Sequence, residues 1–132
     1  MADNSILIDT SVFIEFLRNK NKNQTVLWSL KENYVCYVSS ITVFELYCGI
    51  KTEVHLNDLE KLFRWLNILS FDDESARHSS EIYKELKTMN QLIEYRDIFI
   101  AATAIKSGYQ LATLNIKHFD RIKRLSILTI SS

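Results

Sequence analysis

The chain has 132 residues, 47% of them hydrophobic and 24% charged, with sixteen Lys and Arg against sixteen Asp and Glu. This length and apolar content exclude a disordered chain and point to one domain, residues 1–132, able to bury a core without disulfides or a structural metal. Zero net charge argues against binding nucleic acid through a generally basic surface, and the lack of proline with only two glycines excludes collagen-like and linker-rich architectures.

In chain order, Ser5 to Asp9 reads as an apolar strand that stops at an acid. Thr10 and Ser11 then supply capping hydroxyls for a helix through Val12, Phe13, Phe16 and Leu17. A polar stretch leads to a second helix around Val26 to Leu30. Tyr34 to Val38 is β-branched and aromatic, and Ser39-Ser40 mark its passage into a helix over Ile41 to Ile50. That helix is apolar on most sides and is expected to be largely buried. Leu56, Leu59, Leu62, Phe63 and Leu66 form an amphipathic stripe, followed by a short apolar piece, Ile68 to Phe71. Asp72-Asp73-Glu74 place acids at the start of the next helix, whose apolar face is Ile82, Tyr83, Leu86, Met89 and Ile93. Asp97 to Ile105 is apolar all round and reads as a central helix ending at a Gly108 cap. A strand over Leu111 to Leu114, a short turn or helix over Lys117 to Arg121 and a final strand over Ser126 to Ile130 complete the chain. The alternation predicts an α/β sandwich with a mostly parallel sheet.

Cys36 and Cys48 lie in apolar runs without C-x-x-C spacing and read as buried, reduced thiols. The chain opens without a basic-then-apolar leader, and its apolar stretches fall short of the ~20 residues that span a bilayer. A soluble, cytoplasmic protein without membrane contact is expected.

Three acids stand in apolar surroundings. Asp9 ends a strand, Glu45 lies mid-helix and Asp97 opens the most hydrophobic helix. A buried, isolated anion costs several kcal/mol, so each requires a cation, hydrogen-bond donors or a metal. Locally, Asp9 can serve as an N-cap, and Asp97 can cap its helix or pair with Arg96. Glu45 has neither option, because Ile41 and Gly49 occupy the i±4 positions. Ligand sites of parallel α/β sheets form beyond the carboxyl ends of the strands, where Asp9, Asp97 and Asn115 would meet. Carboxylates converging there suit a hard cation such as Mg²⁺ or Mn²⁺.

Four short motifs follow one another: Ile8-Asp9-Thr10-Ser11, Thr42-Val43-Phe44-Glu45-Leu46, Asp97-Ile98-Phe99-Ile100-Ala101-Ala102, and Thr113-Leu114-Asn115 with His118-Phe119. In this order and spacing they resemble the PIN-domain endoribonucleases, in particular the single-domain toxins of VapBC toxin–antitoxin pairs. The resemblance implies a PIN-like three-layer α/β/α sandwich and hydrolysis of RNA phosphodiester bonds, leaving 5′-phosphate and 3′-hydroxyl ends. It further implies Asp9, Glu45 and Asp97 as metal ligands and Asn115 as the fourth catalytic position, without the charge of the Asp found in many relatives. Thr10 and Thr113 become supporting hydroxyls, Mg²⁺ or Mn²⁺ the cofactor, and a homodimer neutralised by a small antitoxin the assembly.

Balanced charge hides segregation. Residues 18–31 carry four bases and no acids, residues 106–132 five bases and one acid, and residues 32–105 seven bases and twelve acids. Lys117, His118, Arg121, Lys123 and Arg124 follow Asn115 and are candidate RNA phosphate contacts. Two other readings stay open. One is a phosphatase of the haloacid-dehalogenase type, drawn from Asp9-Thr10-Ser11-Val12 and Asp72-Asp73. The other is a catalytically weak PIN-like module that only binds RNA or protein, drawn from Asn115.

Overall fold

The computed structural model describes residues 4–130. Four parallel strands, β1 (Ser5–Ile8), β2 (Val35–Ser39), β3 (Asn67–Leu69) and β4 (Gln110–Ala112), form a sheet in the order β3-β2-β1-β4. Helices α1 (Thr10–Arg18) and α2 (Val26–Asn33) separate β1 from β2, α3 (Ser40–Gly49) and α4 (Glu53–Phe63) separate β2 from β3, and α5 (Asp73–Thr88) and α6 (Tyr95–Ser107) separate β3 from β4. A four-residue helix α7 (Ile116–Phe119) follows.

Side chains alternate across a strand, and the two cores follow from that period. Ile6 and Ile8 pack with Val12, Phe13, Leu27 and Leu59 on one face, whereas Leu7 packs with Ile82, Leu86, Ile98 and Ile100 on the other. The result is the expected three-layer α/β/α sandwich. All four β1 residues are buried, as a central strand of a parallel sheet requires.

The amphipathic stripe from Leu56 to Leu66 faces the core: Leu59, Leu62 and Leu66 are buried, and Leu56 and Phe63 are half-buried. Helix α3 departs from expectation. Only Thr42 and Leu46 are buried, while Phe44 is 68% exposed and Tyr47 and Cys48 also face outward. An apolar-all-round helix is buried only where two layers cover it, and α3 is covered on one side. The final strand shrinks to one parallel bridge between Leu111 and Ile127, because only Leu111 exchanges backbone bonds with it, through Ser126 O and the Leu128 N–H. Helix α5 ends before Met89 and Ile93, so those two do not extend its buried stripe.

Capping follows the sequence in part: Ser39 caps α3, but α1 is capped by Asp9 rather than by Thr10 or Ser11, and α6 opens at Glu94 without a side-chain cap, leaving Asp97 inside the first turn. Asp72 accepts from the Ser75 N–H and Ser75 Oγ, both at 2.9 Å, and pairs with Lys106 of α6 at 2.5 Å. Gly108 closes α6 with φ 73°, a left-handed conformation that a Cβ disfavours. Both cysteines are free and Cys36 is buried as expected, whereas Cys48 is exposed, because it lies on the uncovered side of α3. Among the described residues no helix is long and apolar enough to cross a membrane.

Candidate active site

The sheet brings the carboxyl ends of β1 and β4 side by side, since Ile8 pairs with Ala112 and the Asp9 N–H donates to Ala112 O over 2.9 Å. Asp9 leaves β1 in an extended conformation and caps α1, so its capping role and its place in the site coincide. Its Oδ2 accepts from Ser11 Oγ at 2.7 Å, from Thr113 Oγ1 at 2.8 Å and more weakly from the Ser11 N–H at 3.4 Å. These hydroxyls are themselves anchored: Ser11 Oγ accepts from the Leu114 N–H and Thr113 Oγ1 from the Asn115 N–H. Every hydrogen bond to the Asp9 carboxylate among the described residues falls on Oδ2.

Glu45 reaches the same cleft from the middle of α3, its side chain 13% exposed. Its Oε1 accepts from Thr10 Oγ1 at 2.6 Å, and Thr10 Oγ1 also contacts Thr42 Oγ1 at 3.0 Å. Its Oε2 lies 3.1 Å from Arg96 Nη1. The local reading found no cation for Glu45; the fold supplies one from α6. The expected pairing of Asp97 with its neighbour Arg96 gives way to this contact.

Asp97 sits in the first turn of α6, its side chain 11% exposed, with Oδ2 3.3 Å from His118 Nδ1. Burial and the negative charge of Asp9 push its carboxyl above the usual carboxylate range, and His118 and Arg96 partly offset them. Asn115 lines the cleft as well and turns the chain into α7.

The cleft has a volume of about 490 Å³ and joins Asp9, Glu45, Asp97 and Asn115 with the bases Arg18, Arg96 and His118. Of the five candidate phosphate contacts, only His118 lines it. Arg124 is instead drawn onto α5, 3.2 Å from Glu85 and 3.8 Å from Glu81, and Arg121 reaches the Gln91 carbonyl. Lys117 and Lys123 are exposed outside the lining. Arg18 and Arg96 join the cleft without having been candidates, and Ser11 binds the Asp9 carboxylate where a capping hydroxyl alone is expected. The Asp-Thr-Ser run carried the signal for Ser11, as did adjacency to Asp97 for Arg96.

Two oxygen-donor carboxylates that line one cleft at a strand end, with the charge of Asp9 opposing that of Asp97, fit a hard divalent cation, which relieves that repulsion. Among the described residues no three His, Cys, Asp or Glu side chains stand together as a ready metal-holding group. Glu45, the third acid, is engaged by Thr10 and Arg96 instead.

The PIN domain family model matches residues 6–125, nearly the whole chain. The chain belongs to the PIN-domain family. This PIN domain is 36% identical over 128 residues to ribonuclease VapC1 of Methanocaldococcus jannaschii, covering 95% of this chain and 86% of that protein. It is 35% identical over 134 residues to ribonuclease VapC1 of Rickettsia felis, covering 96% and 97% of the two. Its fold superposes with a TM-score of 0.82 on a chain of the crystal structure of VapBC2 from Rickettsia felis bound to a DNA fragment from their promoter, at 25% identity, covering 96% of this chain and 99% of that one. PIN membership displaces the phosphatase reading. In the PIN domain the acid pair Asp72-Asp73 lies away from the cleft, capping α5.

Proposed function

We propose that this PIN domain is an endoribonuclease that hydrolyses RNA phosphodiester bonds with a divalent cation, Mg²⁺ or Mn²⁺. It acts as the toxin of a toxin–antitoxin pair and is silenced by a cognate antitoxin. The observation that carries this reading is the meeting of the Asp9 and Asp97 carboxylates in one open cleft at the carboxyl end of β1, where the charge of Asp9 helps to raise the Asp97 carboxyl. Kinship with ribonucleases VapC1 and the VapBC fold supports it.

Asp9 and Asp97 would hold the cation, with Glu45 completing the acidic set and Asn115 offering a neutral oxygen. When bound, the cation lowers the pKa of water and offsets charge that builds on the phosphoryl oxygens. Ser11 and Thr113 fix the Asp9 carboxylate by donating to one oxygen, which leaves the other available. Thr10 holds the Glu45 carboxylate by donating to Oε1, while Arg96 sits at Oε2. His118 is placed beside Asp97 to donate to a phosphate, and Arg18 supplies positive charge on the α1 side. Lys117, Arg121 and Lys123 contact the backbone farther out. A homodimer bound by antitoxin completes the assembly, within a cytoplasmic, single-domain protein of residues 1–132.

The test compares wild type with Asp97→Asn on total RNA, with Mg²⁺ or Mn²⁺ and with EDTA. Cleavage by wild type alone, and only with metal, is expected. Equal degradation by both proteins overturns the site. RNA binding by wild type without cleavage supports a PIN module that only binds, the reading that Asn115 and the Arg96-paired Glu45 favour.

A further inference from the structure

Among Asp9, Glu45 and Asp97, Glu45 is the one whose two oxygens are both engaged. Thr10 donates to Oε1, and the Arg96 guanidinium sits 3.1 Å from Oε2. Arg96 Nη2 also donates to Glu94 Oε1 over a long 3.5 Å. The side chain of Arg96 is 55% exposed, against 13% for Glu45, so the base lies at the mouth of the cleft and the acid inside it. Arg96 and Asp97 are consecutive residues in the first turn of α6, which fixes the root of the guanidinium beside a second acid.

Three physical facts bear on this arrangement. A half-exposed ion pair is weak, so little opposes its opening. A doubly charged cation shared among carboxylates competes strongly for an oxygen that a single guanidinium nitrogen now occupies. A freed guanidinium offers a planar fork of donors that matches a phosphate, and its long side chain can turn without moving α6.

We propose that Arg96 is a phosphate-contacting residue of the nuclease site that Glu45 holds in reserve. Without a cation, Arg96 neutralises Glu45 and keeps the acidic cleft from opposing itself. When the acids take up a divalent cation, Glu45 Oε2 exchanges partners and Arg96 turns to the RNA backbone at the same mouth. One side chain thereby links metal loading to substrate capture. This inference rests on the ribonuclease reading above.

The experiment measures Mn²⁺ binding by calorimetry, without RNA, for wild type, Arg96→Gln, Glu45→Gln, the double variant and Asp97→Asn. Arg96→Gln binds Mn²⁺ roughly two- to fivefold more tightly than wild type, the range an ion pair of this exposure supplies. In the Glu45→Gln background the same substitution changes nothing, because the pair is already absent. At saturating Mn²⁺, Arg96→Gln raises KM for a fluorophore–quencher RNA pool of random sequence more than it lowers kcat, and Arg96→Lys restores part of the loss.

Unchanged or weaker Mn²⁺ binding in Arg96→Gln overturns the inference. So does tightening that persists in the Glu45→Gln background, which marks a general field effect, and so does an unchanged KM. In each of these cases loss of Mn²⁺ binding in Asp97→Asn leaves the ribonuclease reading standing. Equal Mn²⁺ binding and equal cleavage by wild type and Asp97→Asn removes that reading and the inference together. The exposed position of Arg96 keeps its variants folded, which circular dichroism checks.

Discussion

Thr113 donates its hydroxyl hydrogen to Oδ2 of Asp9 over 2.8 Å, joining the end of β4 to the acid at the end of β1 inside a buried pocket. The same oxygen of Thr113 accepts from the Asn115 N–H, so one hydroxyl sets both the carboxylate and the loop that follows. Thr113→Val keeps the shape and removes both bonds. It should cost about 1–3 kcal/mol of stability, since a buried donor and acceptor lose their partner, and it should lower RNA cleavage. Thr113→Ser should retain most of both. Urea unfolding and a cleavage assay on the two variants check this.

Asp97 is costly to the apo fold because burial and Asp9 both oppose its charge. Asp97→Asn removes that cost. In EDTA the variant should melt at or above the wild-type temperature, whereas added Mn²⁺ should raise the melting temperature of wild type and leave the variant unmoved. A lower melting temperature in EDTA would show that the carboxylate stabilises the free protein. Scanning fluorimetry with and without metal decides between the two.

Much of this site is legible in the sequence, and the reasons are specific. An acid at the end of an apolar strand or opening an apolar helix, as with Asp9 and Asp97, announces itself because burial makes it expensive. The hydroxyls were legible as neighbours of those acids in their motifs. The Glu45–Arg96 contact was not, because pairing between α3 and α6 depends on how two layers meet and leaves no periodic trace. Helix α3 differs for a related reason: apolar residues that face solvent and apolar residues that join the core look alike in sequence, and Phe44 and Tyr47 stay exposed among the described residues. The alternation of strands and helices fixed the three layers, yet the last strand failed because a short run beside a three-residue β4 has too few backbone groups to pair.

Lys106 and Ser75 hold the Asp72 carboxyl well below the usual carboxylate range. A carboxyl depressed in the folded state adds stability above its unfolded pKa of about 3.9, and that stability is lost as pH falls through the window below it. Asp72→Asn should therefore melt lower than wild type at pH 7. The gap should narrow as the pH drops to about 3. Thermal melts across that range test the sign, and a gap that widens in acid contradicts it.

The two thiols should separate cleanly. Burial pushes Cys36 up to about 11, whereas Cys48 is exposed on α3. A disulfide reagent at neutral pH should titrate one thiol of the native protein quickly and the second only after denaturation. Cys48→Ser should abolish the fast phase. Rapid reaction of both thiols in the native protein would contradict the burial of Cys36.

Strand order has a bearing on synthesis. β1 is made first, but its neighbour β4 comes after β2 and β3 in the chain, and Ser11 and Asp9 wait for Thr113 before their bonding is complete. A ribosome adding roughly 5–20 residues per second must extrude residues 1–113 before that strand can dock. The hydroxyl frame that orients Asp9 is thus one of the last parts of the site to be completed.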